Sequence, residues 1–233
     1  MNVIRTATAP GSAREQAPAF PLGKRCLDVL GALAGLVLLA PLLLALALAV
    51  VLDSGWPPLF PQTRLGSGGR PFRMWKLRTM AGDAEKRRDA LLRRNEAPFP
   101  VFKLRDDPRV TRVGRVLRRL DVDELPQLWN VIRGEMSLVG PRPPLPEEVL
   151  RYDAIARGRL GGRPGITCIW QVESRLRSGI SFEEWVRMDL EYLGRPWDLR
   201  TDLALILRTP LASARRSRRP GVNRDVPACV RSV

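Results

Sequence analysis

The chain is 233 residues long, enough for one ordinary domain plus a membrane element and too short for a multi-domain machine. Its 39 Lys and Arg against 24 Asp and Glu leave a formal charge of +15, which points to an anionic partner or surface: phosphate groups, anionic lipid or nucleic acid. Histidine is absent, so imidazole is excluded as base, nucleophile and metal ligand, and carboxylates must carry any acid-base or metal chemistry.

Taken in chain order, residues 1–21 mix Ala, Pro, Ser and Arg without apolar periodicity and read as a mobile leader. Val29 to Leu52 then forms an uninterrupted run of 24 largely apolar residues, about 36 Å as a helix and long enough to cross a bilayer. A signal peptide fits less well, because the run exceeds the roughly 7 to 15 residues of such an apolar region and starts late. Pro41 near its middle removes a backbone hydrogen bond and predicts a bend. Lys24 and Arg25 precede the run, and Arg64, Arg70, Arg73, Lys76 and Arg78 follow it, so positive charge marks both flanks. A re-entrant hairpin on one face satisfies both flanks; a simple kinked transmembrane helix fits the same residues.

Gly66 to Pro71 is Gly- and Ser-rich, and Phe72 to Met80 reads as an extended segment with Lys76 and Arg78 on one face. Ala81 to Asn95 reads as a charged, solvated helix. Val110, Val113, Leu117 and Leu120 recur at helical spacing opposite Arg109, Arg112, Arg115 and Arg119, which predicts an amphipathic basic helix. Phe182 to Leu193 is a second such element, with Trp185 and Tyr192 in it and Trp170 and Trp197 nearby. These rings suit either a membrane-water interface or an ordinary core. Residues from Ser213 carry Arg215, Arg216, Arg218 and Arg219 and read as a basic tail near anionic lipid. Cys26, Cys168 and Cys229 lie far apart without a CxxC pair, which fits a reducing setting. No internal repeat and no Gly-rich phosphate loop occurs, so phosphate binding must be built from Arg, Lys and helix ends.

The densest cluster of chemistry runs from Arg118 to Asn130, with Gly134 and the loop Val139-Gly140-Pro141-Arg142-Pro143 after it. Pro126 belongs in a helix's first turn, so a helix is expected to start near Asp123 or Glu124 and to stop at Gly134. Asp123 would then sit at a helix N-terminus, where free N–H groups stabilise a carboxylate and a nearby phosphate. It could merely cap that helix. Glu124, about 100° away around a helix, could hold a cation while Asp123 faces substrate.

Six ordered motifs give the chain a resemblance to a known family over roughly residues 22–210. They are Lys24-Arg25 with Asp28; Phe72-Arg73-Met74-Trp75-Lys76-Leu77-Arg78-Thr79-Met80; Asp107-Pro108-Arg109-Val110-Thr111-Arg112-Val113-Gly114; Asp123-Glu124-Leu125-Pro126-Gln127; Val139-Gly140-Pro141-Arg142-Pro143; and Arg163-Pro164-Gly165-Ile166-Thr167. The sequence resembles the monotopic polyprenyl-phosphate sugar-1-phosphate transferases that begin bacterial glycan assembly, in their short form. The resemblance implies an α+β, mostly helical fold: a re-entrant membrane helix over 22–53 kinked at Pro41 and a catalytic domain over 54–210 lying on the cytoplasmic face of the inner membrane; beyond it, 211–233 reads from its composition as the basic tail. It further implies that Asp123 attacks the β-phosphate of a UDP-sugar, releasing UMP, and that polyprenyl phosphate takes up the resulting phosphosugar. Glu124 becomes the Mg2+ ligand. Arg118 and Arg142 become phosphate contacts, with Lys76, Arg78, Arg163, Gln127 and Asn130 as further candidates.

Such a carboxylate nucleophile would split one displacement into two, with a metal and arginines neutralising the charge that develops. Expected partners are the UDP-sugar, polyprenyl phosphate and anionic lipid, without nucleic acid, and a homo-oligomer is left open. Two departures stand out: Asp121 replaces the Ser common two places before the nucleophile, and Pro57 to Gln62 is more proline-rich than usual. A competing class is a membrane-tethered basic module that binds anionic lipid or nucleic acid, with steep salt dependence and indifference to Asp123.

Overall fold

A computed structural model of the chain describes residues 20–84, 86–91, 104, 106–176 and 180–217. The leader up to residue 19, Cys229 and the tail from residue 218 lie outside the described residues. Helix α1 (Leu22–Ser54) comes first and is continuous through Pro41. The antiparallel hairpin of β1 (Leu59–Leu65) and β2 (Pro71–Leu77) follows. Next come the single turn α2 (Arg88–Leu91), then α3 (Arg112–Leu120), α4 (Gln127–Arg133) and β3 (Ser137–Val139). The short helices α5 (Pro146–Val149) and α6 (Ala154–Arg157) lead to β4 (Gly165–Thr167), which pairs parallel with β3. The described chain ends with α7 (Ile169–Leu176), α8 (Phe182–Gly194) and α9 (Leu199–Ser217). The fold is thus mostly helical α+β, as the motifs imply.

Helix α1 is apolar nearly all round, with a mean hydropathy of 2.9 in its most apolar 18-residue window, and that window is 6% buried. By length and composition it is able to cross a membrane. Its two ends, however, are fastened to the same globular body. Near its start the Lys24 ammonium lies between Asp28 Oδ1 (3.2 Å) and Asp202 Oδ2 of α9 (2.6 Å), and Arg25 donates to the carbonyls of Val131 and Ile132 in α4. Asp28 accepts from Ser137 Oγ and from the Leu138 amide of β3. At the far end Asp53 accepts from the Val113 amide, Arg78 donates to the carbonyls of Ser54 and Gly55, and Val50 packs with Leu77 and Leu117.

Between these anchors Ala32 joins Met74, Leu128, Val131 and Met136 in a buried cluster that clamps α1, β2 and α4 together. Each large aliphatic side chain so buried contributes about 1.5 to 3 kcal/mol. A second cluster, Val139, Val172, Leu205 and Ala212, ties β3 to α7 and α9.

Several expectations are corrected. The helix expected to begin near Asp123 or Glu124 begins at Gln127; Val122–Glu124 form one 3-10 turn, and Pro126 precedes α4. Asp121, with a left-handed φ of 57°, ends α3, and the right-handed 3-10 turn over Val122–Glu124 leads through Leu125 and Pro126 into α4. Gly134, at φ 81°, does end α4 as expected. The charged helix read over Ala81 to Asn95 reduces to turns and the short α2, with residues 92–95 outside the described region.

In α3 Leu117 is buried but Leu120 is half exposed, and Arg109 lies before the helix, paired with Asp107 at 2.7 Å. Trp170 and Trp185 meet within the body with centroids 4.0 Å apart and planes tilted by 42°; Trp170 is buried, while Trp185, Tyr192 and Trp197 are half-buried. The stretch read as the start of the tail is helical through Ser217.

Candidate active site

The hairpin supplies one wall of the site. Its register sets Gln62 against Met74, Arg64 against Phe72 and Phe60 against Lys76, so Gln62, Arg64, Met74 and Lys76 share a face by strand alternation. The opposite wall is the chain after β3, carrying Arg142 and Pro143, together with Gly165 and Ile166 of β4 and Gln171 of α7. Glu124 and Gln127 complete the lining of a cleft of about 220 Å3, counting the space open to solvent.

The two strands behind this wall approach closely because they meet at glycines. A Cβ on Gly165 would lie 2.1 Å from the Gly140 amide nitrogen, and one on Gly140 would lie 2.4 Å from the Arg163 carbonyl. Arg142 is fixed from two sides. Arg159, itself buried and paired with Asp189 at 2.8 Å, donates to its carbonyl, and Arg159 stacks over the Trp185 ring. The Gln171 amide, turned so that its nitrogen donates to the Ile166 carbonyl, accepts from Arg142 Nη1 at 3.3 Å.

Asp123 is buried in its 3-10 turn and does not line the cleft, while the adjacent Glu124 does. Glu124 Oε1 accepts from Lys76 Nζ at 2.9 Å. Burial, and secondarily the neighbouring Glu124 charge, push the Asp123 carboxyl up to about 6, against the opposing pull of Lys76 and Arg118. Arg118 donates to Thr79 Oγ1 at 2.8 Å, and α3 reaches Thr79 so closely that a Cβ on Gly114 would meet its carbonyl at 2.1 Å.

Of the sequence-predicted candidates, Glu124, Lys76, Gln127 and Arg142 line the cleft, whereas Asp123 adjoins Glu124 without lining it and Arg118 lies near enough to Asp123 for its charge to be felt there. The Gln127 Nε2 is buried without a hydrogen-bond partner beside the cleft. Three other candidates are placed elsewhere. Arg78 is spent on the end of α1, Arg163 stacks on Phe20 at 4.0 Å, and Asn130 bridges α4 to β2 by accepting from the Trp75 amide and donating to the Arg73 carbonyl. Arg64 and Gln171 were not singled out from sequence as site residues. The signal for Arg64 was available in the strand alternation it shares with Lys76, whereas nothing in the local pattern marks Gln171.

For a divalent cation, the described residues contain no group of three or more His, Cys, Asp or Glu side chains. Glu124 is the carboxylate among the lining residues. One carboxylate beside a cationic cleft fits the way Mg2+ binds, through one or two protein carboxylates, phosphate oxygens and water.

A cationic cleft bearing Glu124, with the buried Asp123 next to it in the chain, sits on a helical body fastened along an apolar helix. The chain belongs to the bacterial sugar transferase family, whose model matches residues 20–216. It is 44% identical over 206 residues to the UDP-glucose:undecaprenyl-phosphate glucose-1-phosphate transferase of Caulobacter vibrioides, covering 82% of this chain and 69% of that protein. It is 38% identical over 216 residues to the exopolysaccharide production protein ExoY of Rhizobium meliloti, covering 89% and 94%. With the galactosyl transferase CpsE of Streptococcus agalactiae it shares 40% identity over 188 residues, 81% of this chain but only 41% of that longer protein.

Proposed function

We propose that the chain transfers a sugar-1-phosphate from a UDP-sugar to polyprenyl phosphate, most simply undecaprenyl phosphate, as the first membrane step of a bacterial surface glycan such as an exopolysaccharide. The single observation that carries this is a cleft walled by Lys76, Arg142 and Glu124, whose Glu124 and Lys76 charges act on the buried Asp123 next in the chain. The relatives named as undecaprenyl-phosphate transferases supply the substrate classes.

In the proposed first step an Asp123 carboxylate oxygen attacks the β-phosphorus of the UDP-sugar. The bond from that phosphorus to the bridging oxygen breaks, UMP leaves with the bridging oxygen, and a phosphosugar remains on Asp123 as an acyl phosphate. In the second, a phosphate oxygen of the polyprenyl phosphate attacks the same phosphorus and the acyl-phosphate bond breaks. Asp123 is thereby restored and polyprenyl-diphosphate-sugar released. Arg142 and Arg118 hold phosphate oxygens, and Lys76 holds Glu124 until substrate arrives. Glu124 is the residue to hold Mg2+, which when bound supplies positive charge against the phosphates.

The attachment of both ends of α1 to one body supports a re-entrant placement in the inner membrane, with the catalytic domain on the cytoplasmic face. Exposed Leu199, Leu203, Leu207 and Leu211 along α9 support a body that rests on the lipid surface.

The test is to incubate membranes with radiolabelled UDP-sugars, Mg2+ and undecaprenyl phosphate. Label is expected to reach the lipid phase with wild type, and Asp123→Asn is expected to lose transfer by on the order of 10^3-fold or more. A fully active Asp123→Asn, or no transfer from any of a broad donor panel, removes the proposal.

A further inference from the structure

Arg64 is only 6% exposed, yet among the described residues no carboxylate oxygen lies within 4.0 Å of its guanidinium nitrogens. Its Nε and Nη2 donate to Gln62 Oε1 at 3.1 and 2.8 Å, and its Nη1 donates to the Pro143 carbonyl at 3.0 Å. A guanidinium has five N–H donors, so these three bonds leave two unspent. All its hydrogen-bond partners are neutral, and it feels the like charge of Arg142 more strongly than the opposite charges of Glu148 and Glu124. Burial and the Arg142 charge, against the weaker pull of Glu148 and Glu124, lower its pKa to about 10, which still leaves it cationic at neutral pH. A buried cation with no carboxylate in direct contact, set against a second cation, is completed by an anion that enters the cleft. Both guanidiniums line the same cleft as Glu124 and Gln127.

We infer that Arg64 is a second phosphate-binding residue, forming with Arg142 a two-guanidinium wall that grips the diphosphate of the nucleotide sugar. The inference rests on the reading of the cleft as a nucleotide-sugar site. Two planar forks facing one cleft suit a diphosphate better than a single phosphate does, because each can take a pair of oxygens. Gln62 takes the role of a positioning residue: its side-chain oxygen holds two nitrogens of the Arg64 fork and fixes the plane of the group.

A purely structural Arg64, pinning β1 to the chain at Pro143, is the competing account, and the two differ in what they do to phosphate. The experiment uses the purified full chain in lipid nanodiscs and compares inhibition of transfer by UMP and by uridine. Arg64→Gln is expected to weaken UMP at least 10-fold and to raise the KM for the UDP-sugar at least 10-fold, with uridine changed less than 2-fold. Arg64→Lys, which keeps the charge without the fork, is expected to lose 3- to 10-fold toward UMP and to melt within a few degrees of wild type.

If Arg64→Gln does not fold, Arg64→Lys alone decides. Equal weakening of UMP and uridine, or unchanged UMP inhibition in a folded variant, overturns the inference. Because wild-type transfer is measured in the same series, a failure of the proposed function shows as an inactive wild type. A failure of the Arg64 assignment shows as an active enzyme indifferent to this side chain.

Discussion

Asp123 sits where ionisation is costly. Burial and the adjacent Glu124 raise its pKa to about 6, so the fold favours the protonated form. For a group whose folded pKa is raised, the contribution to stability is fully present below the unfolded pKa, near 3.8, and is lost as pH rises through about 6. Asparagine keeps the shape and never ionises. Asp123→Asn without added metal should therefore be more stable than wild type by about 1 to 3 kcal/mol at pH 8, with the gap shrinking to a few tenths near pH 4. Urea melts at the two pH values measure it, and equal stability at pH 8 would show that the native site ionises Asp123 at no cost.

At this scale the acid pair, Lys76, Gln127 and Arg142 were legible because residue type and local motif named them. Asn130, Arg78 and Arg163 were not separable from them by type alone. What distinguishes Asn130 and Arg78 is that their donors meet backbone carbonyls from distant segments, and Arg163 stacks on Phe20.

Among the elements, the parallel pair β3–β4 sets where Arg142 stands, and its spacing depends on glycine. Added to Gly165, a methyl would press on the Gly140 backbone at 2.1 Å, an obstacle that no side-chain rotation relieves. Gly165→Ala is expected to cost about 2 to 3 kcal/mol and to lower transfer by shifting the Arg142 wall. Gly161 also lies in the connection before β4, but a methyl added there would meet nothing within 4 Å, so it provides the control. Gly161→Ala should stay within about 0.5 kcal/mol of wild type. Thermal melts of the two variants settle it, and similar stabilities would mean that the strands can separate at little cost.

Element existence was well read for α1, β2, α3 and α8, where periodicity spans the segment. The start of α4 was misplaced by a few residues because Pro126 is compatible with both the end of a 3-10 turn and the first turn of a helix. Leu125 and Pro126 are right-handed helical in either case, so local backbone preference does not fix where the 3-10 turn gives way to α4. The hairpin turn at Ser67–Gly69 needs positive φ at Gly68 and Gly69, which the Gly-rich sequence signalled.

For the whole molecule, the question is how α1 meets the bilayer. Thirty-three helical residues reach about 50 Å, more than a bilayer core requires. In a simple crossing one end would stand on the far side, away from the domain. Here the first turns contact α4, β3 and α9 while the last contact α3 and the chain after β2, so both ends belong to one body. The buried Lys24, between Asp28 and Asp202, makes release of the first end costly: removing one partner of such a group typically costs about 3 to 5 kcal/mol.

Hydropathy alone could not distinguish these arrangements, since it counts length and apolar content and is blind to which polar groups the flanks will meet. The test is topological. In cells expressing a chain whose native cysteines are replaced by serine, a cysteine at position 15 and, separately, one at Ser67 should both resist a membrane-impermeant thiol reagent added from the periplasm. Both should label once the inner membrane is opened. Periplasmic labelling at one position and not at the other would place the two flanks on opposite sides, and the re-entrant arrangement would have to be abandoned together with the contacts at one end of α1.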